Sequence, residues 1–135
     1  MYFSTSKTEK MNKNIMALGA TFALTAIILG AFGAHALKEL LSSNQLASFE
    51  TGIRYQMYHG IVLLFIGISF DKIQNTPLIS KLFISGTLLF SLSIYLLNLQ
   101  EVLGTSLSFL GPITPIGGAL LIAGWFILLL SLLKK

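Results

Sequence analysis

The chain contains no cysteine and very little charge. The absence of cysteine excludes disulfides, thiolate catalysis and cysteine-ligated metal sites. Only 10% of the residues are charged, whereas soluble domains carry about 25%. With 54% hydrophobic residues and a mean hydropathy of +0.80, the composition indicates a protein whose solvent is lipid. The net charge of +4 lies between and beyond the apolar runs, which is typical of membrane proteins and argues against a nucleic-acid partner.

Long apolar segments predict the fold. A membrane-spanning helix needs about 20 apolar residues, and no segment alternates as the strands of a membrane barrel would. We predict an all-α fold, an integral membrane four-helix bundle, that forms a single domain over residues 15–135 after a polar, disordered N-terminal extension, residues 1–14. The four helices are predicted near residues 15–37, 53–70, 82–99 and 115–133.

The fourth helix has a recognisable start. Thr114 is predicted to cap it, and Pro115 suits the first helical position, where the missing N–H has no partner to lose.

Small residues predict close contact between helices, because they let helix backbones approach each other in lipid. We interpret them as contacts inside the bundle, with a dimer face as the alternative. They are Ala26, Gly30 and Ala34 on the first helix, and Gly117 and Gly124 on the fourth.

Lysine and arginine predict the orientation. In a four-helix topology, seven of them fall on the side of the termini and two on the other side. Cytoplasmic loops carry the excess of Lys and Arg, so both termini are predicted to be cytoplasmic, in the inner (cytoplasmic) membrane of a bacterial cell. The seven are Lys7, Lys10, Lys13, Lys72, Lys81, Lys134 and Lys135; the two are Lys38 and Arg54.

The stretch "FETGIRYQMYHG", residues 49–60, is the densest polar sequence in the chain. The apolar run that follows is too short to span a bilayer, so the second helix must begin earlier and include Arg54. Glu50 lies one helical turn before Arg54 and offers it a countercharge. On the third helix, Thr87, Ser91, Tyr95 and Asn98 form a polar stripe that should face other helices or trapped water.

We interpret the polar stretch chiefly as an anchor between helices, in which Glu50 pairs with Arg54 and both histidines lie in one layer. The alternatives are a ligand or ion site near Arg54, His59 and His35, and a catalytic site. No nucleophile–base pattern is present, and two histidines without a third ligand predict no zinc site. We therefore predict no catalytic residue, metal or cofactor. The candidate polar cluster comprises His35, Glu50, Arg54, Tyr55, Gln56, Tyr58 and His59.

The segments "GAFGAHALK", "FETGIRYQMYHG", "GTLLFSLSIYLL" and "LGPITPIGGALLIAGW" resemble, in this order, the YgdD/YwdK family of small bacterial inner-membrane proteins. The resemblance covers about residues 16–125 and implies a four-helix integral membrane protein with no established activity and a small eukaryotic transmembrane relative. It carries over the residues of the polar cluster together with Thr114, Pro115, Gly117 and Gly118.

Two classes of function remain open. The first is a structural or interaction protein of the lipid bilayer that assembles with itself or with another membrane protein. The second is a transporter, channel or lipid- or small-ligand-binding protein, and a membrane enzyme ranks behind both.

Overall fold

The computed structural model describes residues 10–134 and consists of helices and short connections in that range, without a strand. This confirms the all-α prediction. The long helices are α1, Lys13–His35; α2, Ser43–Ile68; α3, Thr76–Leu103; and α4, Ile113–Leu133. Most of the predicted N-terminal extension lies outside the described residues, as does Lys135.

Local capping explains where α1 and α2 begin. The side chain of Asn12 accepts a hydrogen bond from the backbone N–H of Ile15, and α1 begins at the next residue, Lys13. Ser42 and Gln45 form a reciprocal capping box. As a result α2 starts at Ser43, ten residues before the expected start at Ile53.

The ends of α3 and α4 also follow local chemistry. Asn75, in the left-handed region with φ 64°, precedes α3, and Gly104, with φ 70°, ends it. The prediction for α4 was wrong in detail, because the helix begins at Ile113 without a side-chain cap. The hydroxyl of Thr114 lies 2.6 Å from that of Ser93 and so joins α4 to α3.

The four helices run up and down, with each packed antiparallel on the next. α1 packs on α2, α2 on α3, and α3 on α4. At one end, the backbone N–H of Asn12 donates to Gly67 and the amide of Asn75 donates to Ser131. The start of α1, the α2–α3 turn and the end of α4 therefore lie together. The other end holds Lys38, Glu50, Arg54 and the α3–α4 connection.

The main apolar core lies toward the end of the bundle that holds the start of α1 and the end of α4. It draws on all four helices and leaves Leu63, Ile66, Ile79 and Phe83 with 0% exposure. The outer faces of the helices are apolar as well. The large side chains that they expose include Ile27, Phe65, Ile122 and Phe126. An apolar surface around a packed core is the arrangement expected in lipid.

Three helices, α1, α3 and α4, are long and apolar enough to cross a membrane by length and composition. α2 does not meet that measure, although it has 26 residues, enough for about 39 Å at 1.5 Å per residue. Its polar residues lower its hydropathy, and two of them, Gln56 and His59, are buried inside the bundle.

α3 contains one π-helical turn, Leu88–Leu92. A wider turn shifts the phase of the residues that follow it. Ser91 and Tyr95, four residues apart, are both buried, with 1% and 5% exposure. Within this turn, the backbone of Phe90 packs against Gly117 so closely that a Cβ at Gly117 would overlap it.

The crossing of α1 and α2 depends on two glycines. A Cβ at Gly19 would lie 2.5 Å from the carbonyl oxygen of Gly60, and a Cβ at Gly60 would lie 2.8 Å from that of Gly19. A Cβ at Gly30, farther along the same pair, would lie 3.8 Å from Ile53, an ordinary contact.

We therefore expect Gly19→Ala to destabilise the protein by about 1–3 kcal/mol, because the helices must separate. Gly30→Ala, the matched control, should be neutral or slightly stabilising. Reversible unfolding in detergent micelles, followed by circular dichroism, measures both. Equal stability of the two variants would contradict the close crossing.

Candidate functional site

The centre of the polar stretch is Gln56, which is 6% exposed and joins three helices. Its amide nitrogen donates to the carbonyl of Phe22 at 2.9 Å and to the hydroxyl of Thr25 at 2.6 Å, both on α1. Its amide oxygen accepts from the hydroxyl of Tyr95 on α3 at 2.7 Å. Both N–H groups and the oxygen of this amide are therefore used inside the bundle.

Two further contacts between α2 and α3 surround this amide. The hydroxyl of Ser91 donates to the carbonyl of Gly52 at 2.8 Å. The ring of Tyr95 packs at 4.9 Å from that of Phe49, and a Cβ at Gly52 would lie 2.7 Å from the Tyr95 ring. The polar stripe predicted on α3 thus faces α2. Its last member, Asn98, donates to Ser48 at 3.0 Å.

His59 links α2 to α4. Its Nε2 lies 3.1 Å from the indole Nε1 of Trp125, and its Nδ1 lies 2.6 Å from the carbonyl oxygen of Tyr55. An indole N–H only donates, so Nε2 is the acceptor and Nδ1 carries the proton that is donated to Tyr55. These two partners fit the neutral imidazole and leave neither nitrogen free for a metal.

The two charged members of the predicted cluster lie on the surface, away from the buried hydrogen bonds of Gln56 and His59. Glu50, Arg54 and Tyr58, spaced four residues apart, are all exposed on one outer face of α2. The guanidinium of Arg54 donates to Thr51 at 3.2 Å rather than to Glu50, and these two side chains form no ion pair. The expected Glu50–Arg54 pair is therefore absent from the anchor, whose hydrogen bonds come from neutral groups.

The two histidines are not in one layer. His35 is exposed in the last turn of α1, whereas His59 is buried and contacts Tyr55 and Trp125. No group of three or more His, Cys, Asp or Glu side chains suited to a metal occurs within residues 10–134. The proposed ligand site near Arg54, His59 and His35 is thus not assembled as one cavity.

The small residues predicted to form contacts between helices lie against a neighbouring helix, with Ala34 as the exception. Ala26, with 0% exposure, and Gly30 lie on the side of α1 toward α2, whereas Ala34 is exposed. On α4, a Cβ at Gly124 would lie 2.8 Å from the ring of Phe83, and Gly117 packs on Phe90. Residues that were not singled out from the sequence complete these contacts: Gly19, Gly52, Gly60, Gly67 and Gly86.

Two buried hydroxyls, those of Ser80 and Thr87, have no hydrogen-bond partner in the described part of the chain. Thr87 borders a cavity of about 290 Å³ between α1, α2 and α3. A second cavity of about 290 Å³ lies between α2, α3 and α4, beside His59 and Trp125. We call this second cavity the lateral pocket.

The apolar exterior, the long apolar helices and the polar side chains of Gln56 and His59 paired inside the bundle define a helical integral membrane protein. The chain matches the family model described as "Protein of unknown function (DUF423)" over residues 29–118, and it belongs to this family. This confirms the resemblance found in the sequence.

Curated relatives extend the similarity over nearly the whole chain. A UPF0382 membrane protein of Staphylococcus epidermidis is 43% identical over 123 residues, covering 90% of this chain and 97% of the relative. UPF0382 membrane protein SAB0533 of Staphylococcus aureus is 42% identical with the same coverage. UPF0382 membrane protein YwdK of Bacillus subtilis is 36% identical over 125 residues, covering 90% of this chain and 98% of the relative. No solved structure matches the chain.

The Gln56–Tyr95 hydrogen bond predicts a measurable coupling. Tyr95→Phe leaves the buried oxygen of Gln56 without its donor and should cost about 1–3 kcal/mol of unfolding free energy. The double variant with Gln56→Leu should lose less than the sum of the two single variants.

Tyr58→Phe is the matched control, because Tyr58 is 51% exposed and makes no hydrogen bond within the described residues. It should change stability by less than about 0.5 kcal/mol. The unfolding free energies of the wild type and of these four variants, measured in one detergent, test the coupling. Additive effects of Tyr95→Phe and Gln56→Leu would show that the two side chains are not coupled.

Proposed function

We propose that the protein is a structural or interaction component of the bacterial cytoplasmic membrane and not an enzyme. The observation that carries this proposal is the complete use of the Gln56 amide by α1 and α3. His59 is engaged in the same way by Tyr55 and Trp125. Polar groups that are held this way fix the relative positions of helices and are not presented to a substrate.

The surface supports a role in assembly. α4 exposes a continuous apolar face, with Ile122 at 71%, Phe126 at 58% and Leu133 at 70% exposure. Such a face can contact lipid, a second copy of the chain or another membrane protein. The alternative role, ligand handling among Arg54, His59 and His35, has less support because His59 is buried while the other two side chains are exposed.

We further propose that both termini face the cytoplasm. Within residues 10–134, five Lys side chains belong to the end of the bundle where α1 begins and α4 ends, while Lys38 and Arg54 belong to the other end. The five are Lys10, Lys13, Lys72, Lys81 and Lys134. The positive-inside rule assigns the lysine-rich end to the cytoplasm. This orientation requires that α2 crosses the bilayer, with Gln56 turned toward α1 and α3 and His59 turned toward α4.

The native chain has no cysteine, so single cysteines at Ser43, Gln74 and Ser106 report the orientation cleanly. An impermeant thiol reagent added to intact cells should label the cysteines at Ser43 and Ser106 and leave that at Gln74 unlabelled. All three should react after the cells are opened. Labelling of Gln74→Cys alone in intact cells would invert the orientation, and labelling of all three would refute a four-crossing topology.

Native mass spectrometry after gentle solubilisation tests the role in assembly. The tagged protein is expressed from its chromosomal gene at its normal level. We expect it to be recovered reproducibly as a homo-oligomer or in a complex with another membrane protein. Arg54→Gln and His35→Gln should leave this complex intact, because both side chains are exposed outside the anchor. A monomer that carries a small molecule lost in these two variants would overturn the proposal in favour of ligand handling.

A further inference from the structure

The lateral pocket has aromatic walls that come from three helices. Tyr55 and His59 are on α2, Phe90 is in the π-helical turn of α3, and Trp125 is on α4. The rings of Tyr55 and Phe90 are 4.9 Å apart, and those of His59 and Trp125 are 6.1 Å apart. Aromatic rings pack favourably against other planar π-systems in offset or edge-to-face arrangements. The walls therefore favour a planar, conjugated ligand over a flexible chain.

The pocket opens sideways toward the lipid. Three of its lining side chains are well exposed on the outer surface: Ile122 at 71%, Trp125 at 45% and Tyr55 at 40%. No charged side chain lines it. An ion in such a place would be costly, so the matching ligand is uncharged and reaches the pocket from the membrane.

Among the residues that line the pocket, Tyr55 carries a polar group without a partner. The hydroxyl of Tyr55 makes no hydrogen bond within residues 10–134, whereas both nitrogens of His59 and the indole N–H of Trp125 are already paired. A phenol hydroxyl donates readily to a carbonyl oxygen. The pocket thus offers several π-faces and one hydrogen-bond donor to a ring that carries a carbonyl group.

Gly118 keeps the pocket open. A Cβ at this position would lie 3.7 Å from the ring of Phe90, in ordinary contact, so the missing side chain leaves this side of the ring uncovered. The neighbouring Gly117 has a different role, because its Cβ would overlap the backbone of Phe90. Of these two adjacent glycines, Gly118 affects the shape of the pocket and Gly117 affects the packing of α4 on α3.

We propose that the lateral pocket binds the uncharged, planar head of a membrane quinone, a conjugated diketone ring carried on an apolar tail. The cavity of about 290 Å³ is close to the lower limit of about 300 Å³ for ligand pockets. The cavity can therefore hold a single ring or two fused rings, while the apolar tail stays in the lipid. This inference goes beyond the proposed structural role and does not depend on assembly.

The only tryptophan of the chain lies in this pocket, which gives a direct readout. The full chain is reconstituted in lipid nanodiscs and titrated with 2-methyl-1,4-naphthoquinone, and the fluorescence of Trp125 is followed. A ring bound within contact distance quenches the indole, so we expect saturable quenching. Empty nanodiscs that contain free tryptophan methyl ester report quenching by simple partition into the lipid.

Two variants define the site. Gly118→Leu should fill the pocket and remove the saturable component, while Gly118→Ala, the smaller change at the same position, should weaken it only slightly. Tyr55→Phe should lower the affinity about two- to tenfold through the loss of one hydrogen bond. Because the hydroxyl of Tyr55 holds no other residue in place, this variant remains informative even if Gly118→Leu fails to fold.

Three results would overturn the proposal. The first is quenching that rises linearly and equally in the wild type and Gly118→Leu, which is partition alone. The second is an unchanged affinity in Tyr55→Phe. The third is displacement of the naphthoquinone by 1-dodecanol at equal concentration, which would mean that the pocket takes an apolar chain. None of these outcomes bears on the native mass of the complex, so the proposed assembly role stands or falls separately.

Discussion

A primary amide inside a lipid-embedded bundle must find all its hydrogen-bond partners in the protein, because hydrocarbon supplies none. Gln56 meets this constraint with a carbonyl and a hydroxyl on α1 and a phenol on α3. Each of these partners is fixed to a helix, so the amide defines how α1, α2 and α3 lie relative to one another. The tilted packing of the Tyr95 ring against Phe49 and the hydrogen bond from Ser91 to Gly52 follow from the same placement.

Close approach of the helices makes these hydrogen bonds possible. Gly52, Gln56 and Gly60 are four residues apart and all buried on one face of α2. The glycines before and after Gln56 let α3 and α1 come near enough for side chains as short as Ser91 and Thr25 to bridge the gap. Small residues and polar groups therefore act together here, as they do in other helix pairs in lipid.

The sequence predicts the four helices and the family, because both are recorded in long stretches of residues and depend on no single position. It predicts the start of α2 poorly, although Ser42 and Gln45 carry the capping-box spacing that could have revealed it. The Glu50–Arg54 pair is placed on one face as expected, but that face is turned outward. Which face is buried depends on the crossing with α1, and periodicity in α2 alone does not contain that information. The π-helical turn at Leu88–Leu92 has no local sequence signal either; it accompanies the packing of Phe90 on Gly117.

The order of the helices in space has a consequence for biosynthesis. The most extensive contacts join helices that are neighbours in sequence, α1 with α2 and α3 with α4. Each hairpin can therefore pair as soon as its second helix leaves the insertion machinery, without waiting for distant segments. Contacts that are local in sequence also favour rapid assembly. During assembly, α1 would be the first helix to supply hydrogen-bond partners to the Gln56 amide. Tyr95 on α3 would supply the last partner when the second hairpin packs against the first.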